Sequence, residues 1–114
     1  MAADTRKQGS TTETEEEWPD GSNSLADIRA NIDRLDSEIM PLLCERHHYV
    51  TAAAKFKPSV EGVVAPSRVE EIIGRVRELA AVHGVNPDTM ETVYRMLIDA
   101  FTRDEQSRWK DTHK

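Results

Sequence analysis

The chain has 114 residues, with 15 Lys+Arg against 21 Asp+Glu and a formal charge of −6. That length holds one domain at most, and an acidic balance excludes the basic stripe by which a protein grips nucleic acid. Cys44 is the single cysteine and only 5% of residues are aromatic, which excludes a disulfide framework, a cysteine-based zinc site and a base-stacking platform.

Residues 1–23 hold six acids (Asp4, Glu13, Glu15, Glu16, Glu17, Asp20) and two bases (Arg6, Lys7), a balance of −4 that leaves −2 for the other 91 residues. This segment is rich in Thr, Ser, Gly and Glu and ends in Trp18-Pro19-Asp20-Gly21. It is expected to be a disordered acidic tail, because it buries too little apolar surface to offset the entropy of ordering. It contains no apolar run long enough for a signal peptide or a membrane span. The expectation is therefore a cytoplasmic protein without a membrane or nucleic-acid partner.

The folded domain is expected over 24–114. Ser24 is suited to cap a helix, with Asp27 in the first turn at the positive end of the dipole. Leu25, Ile28, Ile32, Leu35, Ile39, Leu42, Arg46, Tyr49, Ala53 and Phe56 then recur at steps of three and four, a heptad-like seam. The helix is expected to run to Lys57, where Pro58 ends it. Pro41 interrupts the ladder of hydrogen bonds, so either a bend near Ser37–Pro41 or two separate helices is expected.

Residues 58–65 read as a loop. Pro66 suits the first turn of a second helix, with Val69, Ile72, Ile73, Val76, Leu79 and Ala80 facing inward and Gly84 as its stop. Asn86-Pro87-Asp88 opens a third helix with a cap, an N1 proline and a first-turn acid. Met90, Val93, Tyr94, Leu97, Ile98, Phe101 and Trp109 form its inner face. No strand-like alternation is present, so the fold class is all-α, a three-helix protomer with one long first helix. A first helix of about 33 residues is about 50 Å long. Two shorter helices cannot cover its seam, so a second copy of the chain is expected against it.

Arg46 stands where the seam calls for an apolar residue. Lys57, eleven residues on, would lie about 20° around a continuous helix and about 16 Å along it, so both can reach a small anion between them. Arg68 follows the loop and can close over the same space. Arg29 is seventeen residues before Arg46, about 25 Å away and roughly 100° off the stripe; one small ligand cannot meet both from one straight helix, but can if Arg29 comes from an antiparallel partner. Gln106, flanked by Thr102, is a neutral donor on the third helix. His47 and His48 diverge by about 100° and have no partner at metal-ligand spacing. Asp33, Asp36 and Glu38 read as a solvated face, so no metal site is expected, and Cys44 reads as a small buried hydrophobe.

The run LADIRANIDRLDSEIMPLLCERHHYVTAAAKFK, then APSRVEE, then Gln106 in DEQSRW, resembles the all-helical chorismate mutase family, together with its relatives the isochorismate-pyruvate lyases. The resemblance covers residues 24–110 and rests on the spacing Arg29, Arg46, Lys57, Arg68, Gln106. It implies an intertwined homodimer of three-helix protomers and a small dianionic substrate, chorismate or isochorismate. Each site would take Arg46, Lys57, Arg68 and Gln106 from one protomer and Arg29 from the other. The arginines would hold the carboxylates, Lys57 and Gln106 would donate to the ether oxygen, and no cofactor would be needed. Thr102 sits where mutases of the family tend to carry a small hydroxyl residue. Val69 and Ala65 replace the acids usual just after the loop arginine and three residues before it, which removes the usual contact to the substrate's ring hydroxyl. The first helix is especially similar to the lyases. A non-catalytic helical dimer that binds a partner or metabolite would need the seam but neither Lys57 nor Gln106.

Overall fold

A computed structural model describes residues 24–113, so the acidic tail expected over 1–23, with Trp18, lies outside the described residues. The order of elements is α1 (Leu25–Ala52), a 3₁₀ turn (Ala53–Phe56), a second 3₁₀ turn (Glu61–Val63), α2 (Pro66–Val82) and α3 (Pro87–Thr112). Helix is the only regular structure among the described residues, so the chain is all-α. None of these helices is long and apolar enough to cross a membrane. The chain parts between Leu43 and Cys44 into two units.

The first unit is the N-terminal part of α1. The Ser24 hydroxyl accepts the Asp27 N–H at 3.1 Å, the expected cap. Arg34 pairs with Glu38 one turn on at 3.0 Å, and Asp33, Asp36 and Glu38 are exposed as expected. Leu25, Ile28, Ile32, Leu35, Ile39 and Leu42 are exposed too, Leu42 at 66%. Their own unit has no second described element to cover them. Pro41 lies inside α1, so the interruption does not divide the helix in two.

The second unit holds the last turns of α1 with α2, α3 and both 3₁₀ turns. Here the expected end of the first helix is corrected: α-helical geometry stops at Ala52, the backbone tightens to 3₁₀ over Ala53–Phe56, and Lys57 is extended at φ −94, ψ 144. Pro58 accounts for the extended Lys57, because its ring disfavours the helical region for the residue before it. Cys44 is exposed, contrary to expectation; two residues past Leu42, it is turned about 200° from the seam.

α2 ends at Val82 and is closed as anticipated by Gly84, whose φ is 76. Val85 N–H donates to Ala80 O at 2.9 Å and Gly84 N–H to Ala81 O at 3.1 Å, the paired bonds of a glycine-terminated helix. α3 opens with the Asn86 side chain accepting from the Asp88 N–H at 2.8 Å. α3 packs on α2 and on both 3₁₀ turns. Ala54, Val63, Ile73 and Ala80 form the buried apolar core, and Leu79 and Val93, expected inward, are exposed. The core is small because Ile73 and Ala80, seven residues apart, already occupy the narrow stripe that α3 covers.

Charged pairs add to this thin core. Arg77 donates to Asp88 at 2.9 Å and Glu91 at 2.7 Å, while Arg95 donates to Glu91 at 2.7 Å. Arg95 also grips both carboxylate oxygens of Glu70, at 3.1 and 3.0 Å. Late α2 thus meets early α3, and early α2 meets later α3, which makes the two helices antiparallel. The hydrogen bonds from Arg95 hold Glu70 and Glu91 below the ordinary glutamate value of 4.5. Groups depressed in the folded state stabilise it fully above their unfolded pKa and lose that contribution as pH falls through the folded one. Arg95→Gln is therefore expected to lower the urea midpoint at pH 7, with the gap to wild type closing below about pH 4 and narrowing in molar salt. Equal gaps at pH 7 and pH 3 would show that the ladder is idle.

Candidate active site

The site residues are indexed along α3. Arg46, half-buried on the last turns of α1, places its guanidinium carbon 5.7 Å from the ring centres of both Tyr94 and Phe101. At that distance a cation is attracted by the ring face. Beside it His47 meets Phe101 edge-on at 4.9 Å and binds Asp104 at 2.8 Å, so this histidine joins α1 to α3 while His48 stays exposed.

One turn further along α3 lies the residue that the sequence reading overlooked. Glu105 is 5% exposed and accepts from the Lys57 ammonium at 2.9 Å. Lys57 Nζ also donates to Val63 O at 3.3 Å. The Lys57 main chain is held as well: its N–H donates to Ala54 O at 3.1 Å, and its carbonyl accepts from Trp109 Nε1 at 3.0 Å. Gln106 Nε2 makes a long contact of 3.5 Å to Val60 O in the same loop. A signal for Glu105 was present: Phe101, Glu105 and Trp109 step by four, so an acid interrupts the inner face of α3 as Arg46 interrupts that of α1.

Five of the expected site residues belong to the second unit. Lys57 and Gln106 are brought together through the 57–63 loop. Arg46 addresses the neighbouring turn, about 6 Å away along the axis between Phe101 and Glu105. Thr102 is half-buried one turn before Gln106, on the same face of α3. Arg68 is not gathered in: it is 57% exposed and paired with Glu71 at 2.8 Å, an interaction that holds the Glu71 carboxyl below its ordinary range. Such a surface pair is worth little and yields readily to a better anion. Arg29 belongs to the first unit and is exposed. Ala65 precedes α2 without a side-chain cap. No cluster of His, Cys, Asp and Glu suited to a metal occurs among the described residues.

The class this defines is an all-α protein with a half-buried cationic site built between the end of its first helix and its last helix. The chorismate mutase type II family matches residues 28–106, and the chain belongs to that family. The isochorismate pyruvate lyase of Pseudomonas aeruginosa is 32% identical over 94 residues, 82% of this chain and 93% of the relative. The chorismate mutase of Methanocaldococcus jannaschii is 30% identical over 76 residues, 66% of this chain and 77% of the relative.

Trp109 is the main-chain anchor of Lys57, so Trp109→Phe is expected to keep the ring and lose the bond. The loss should cost about 1 kcal/mol, the net value of an ordinary hydrogen bond. Amide exchange across residues 57–64 should quicken while α2 is unchanged; uniform exchange throughout the unit would contradict the anchoring role.

Proposed function

We infer that the protein is a chorismate mutase, converting chorismate to prephenate by a pericyclic rearrangement. The observation that carries this reading is the joint placement of an ammonium, Lys57, and an amide, Gln106, on one loop and one helical turn, in a chain of this family. In the rearrangement the ether C–O bond breaks as a C–C bond forms, electrons move around one ring, and no proton changes hands. What a protein contributes is conformation and charge stabilisation. Arg46 and Arg68 would hold the two carboxylates by forked hydrogen bonds in the compact geometry. Lys57 and Gln106 would donate to the ether oxygen, where negative charge grows in the transition state.

The second copy belongs to the same proposal. The exposed seam of α1, from Leu25 to Leu42, suits burial against another α1, and Arg29 would enter the partner's site from that helix. A cytoplasmic setting fits a chain with one cysteine, exposed and unpaired.

Isochorismate-pyruvate lyase is the second reading. It is favoured by the 93% coverage of the Pseudomonas relative and by Val69 and Ala65, which carry no acid at the usual positions. The deciding experiment supplies chorismate and isochorismate separately and follows prephenate, salicylate and pyruvate. Prephenate from chorismate with little salicylate from isochorismate is the expected result. The reverse makes the protein the lyase, and inertness toward both favours a non-catalytic binding role.

Lys57→Ala is expected to lower turnover by about 10²–10³, the scale for one donor at a developing oxyanion; full turnover in a folded variant would remove Lys57 from the mechanism. Mixed dimers of Arg29→Ala and Lys57→Ala should regain activity, since one of the two shared sites is then intact. No recovery, with subunit exchange confirmed by mass, would refute the contribution of Arg29 across the interface.

A further inference from the structure

Glu105 is an unexpected neighbour for a site that holds a dianion. It is 5% exposed, and its hydrogen-bond partner among the described residues is the Lys57 ammonium. A buried carboxylate loses its hydration, and it would repel the carboxylates of a substrate. An apolar side chain at this step would have continued the face that Phe101 and Trp109 define, without either cost. Nor is the charge needed to hold the loop, because Trp109 and Ala54 already fix the main chain of Lys57.

An ammonium has three N–H donors. Val63 O at 3.3 Å and Glu105 Oε2 at 2.9 Å take two of them. We propose that Glu105 is a positioning residue, which with the Val63 carbonyl fixes the Lys57 ammonium so that its third N–H is presented to the reacting ether oxygen. The proposal rests on the reading of Lys57 as the donor to that oxygen. It also accounts for the acid. A free ammonium would bind the ground-state carboxylates as readily as the developing charge, which lowers KM without raising kcat. Paired with Glu105 it contributes no net charge to the dianion but keeps one directed donor. Net attraction is then left to the arginines, and Lys57 is reserved for charge that appears only in the transition state.

The test is a cycle of Glu105→Gln, Lys57→Ala and the double variant in the full chain, assayed with chorismate and with isochorismate. Glu105→Gln, which keeps the shape and loses the charge, should lower kcat about 10–100-fold, the scale of a donor misplaced by about 1 Å. KM should fall rather than rise, because the unpaired ammonium then attracts the ground-state carboxylates as well. The double variant should turn over no more slowly than Lys57→Ala, while recovering urea stability that Lys57→Ala loses by stranding the buried acid. Carbon relaxation at Lys57 Cε should report a more mobile side chain in Glu105→Gln than in wild type. An unchanged kcat, losses that multiply in the double variant, or an equally ordered Lys57 would overturn the proposal. Should Glu105→Gln fail to fold, Glu105→Asp, which withdraws the charge by one methylene, is read by the same criteria. Wild-type turnover tests the functional assignment alone: inertness toward both substrates overturns that assignment, whereas Lys57 mobility decides the positioning independently.

Discussion

The ion pair between Lys57 and Glu105 ties the lysine head to the last helix, and the candidate site is organised around it. The two heavy atoms are 2.9 Å apart, and the lysine and glutamate side chains are 26% and 6% exposed. Removing one member of a buried pair costs about 3–5 kcal/mol in general; partial exposure of the lysine puts this one at or below the lower end. That is a large share of the stability of a unit with no large, fully buried side chain among its described residues. Trp109, one turn beyond Glu105, holds the carbonyl of the same lysine. One turn of α3 therefore fixes both the main chain and the side chain of the residue proposed for the chemistry.

Why the unit relies on polar contacts follows from its packing. Apart from Ile73, the buried residues are small or polar: Ala54, Val63, Ala80, Thr51 and Glu105. The Thr51 hydroxyl donates back to the carbonyls of His47 or His48, each at 3.2 Å, which satisfies it internally. Large apolar residues such as Tyr49 and Phe56 lie outward, Phe56 at 78% exposure. The Arg77 and Arg95 ladder fixes the register of α2 on α3 through exposed charges of modest worth. It sets alignment more than it sets stability. A chain built this way keeps much of its apolar surface available for another copy, and the proposed dimer takes its driving force from that surface.

Much of this was legible in the residues. The caps at Ser24 and Asn86, the stop at Gly84 and the proline opening α2 each follow from local backbone chemistry that tertiary packing does not override. Periodicity also found Arg46 as a charge on an apolar seam. It placed Leu79 and Val93 inward because a hydrophobic stripe does not say how wide its cover is. Cys44 was misplaced for a different reason: composition favours burying a cysteine, but its angular position does not. Glu105 went unnoticed although the rule that exposed Arg46 applies to it. A lone acid beside polar neighbours in DEQSRW reads as solvated surface unless its i−4 and i+4 positions are inspected. The partner of a buried ion is set by the fold, so Lys57 could not be assigned to it from spacing.

The early end of α1 is the step that turns these local features into a site. On a helix continued to residue 57, Lys57 would sit on the same face as Arg46, and its head would be placed by α1 alone. Pro58 disfavours that, and the 3₁₀ turn carries Lys57 into extended backbone. Its carbonyl and ammonium are then both taken by α3, within four residues of each other. Arg46 is likewise set against Tyr94 and Phe101. Both cations take their position from one rigid helix, although they arise from a helix and from the loop beyond it. Gln106 and Thr102 are on that helix already. A rearrangement that asks only for fixed charge and fixed geometry gains most from such common indexing, because a donor out of place by about 1 Å can forfeit about 100-fold in rate.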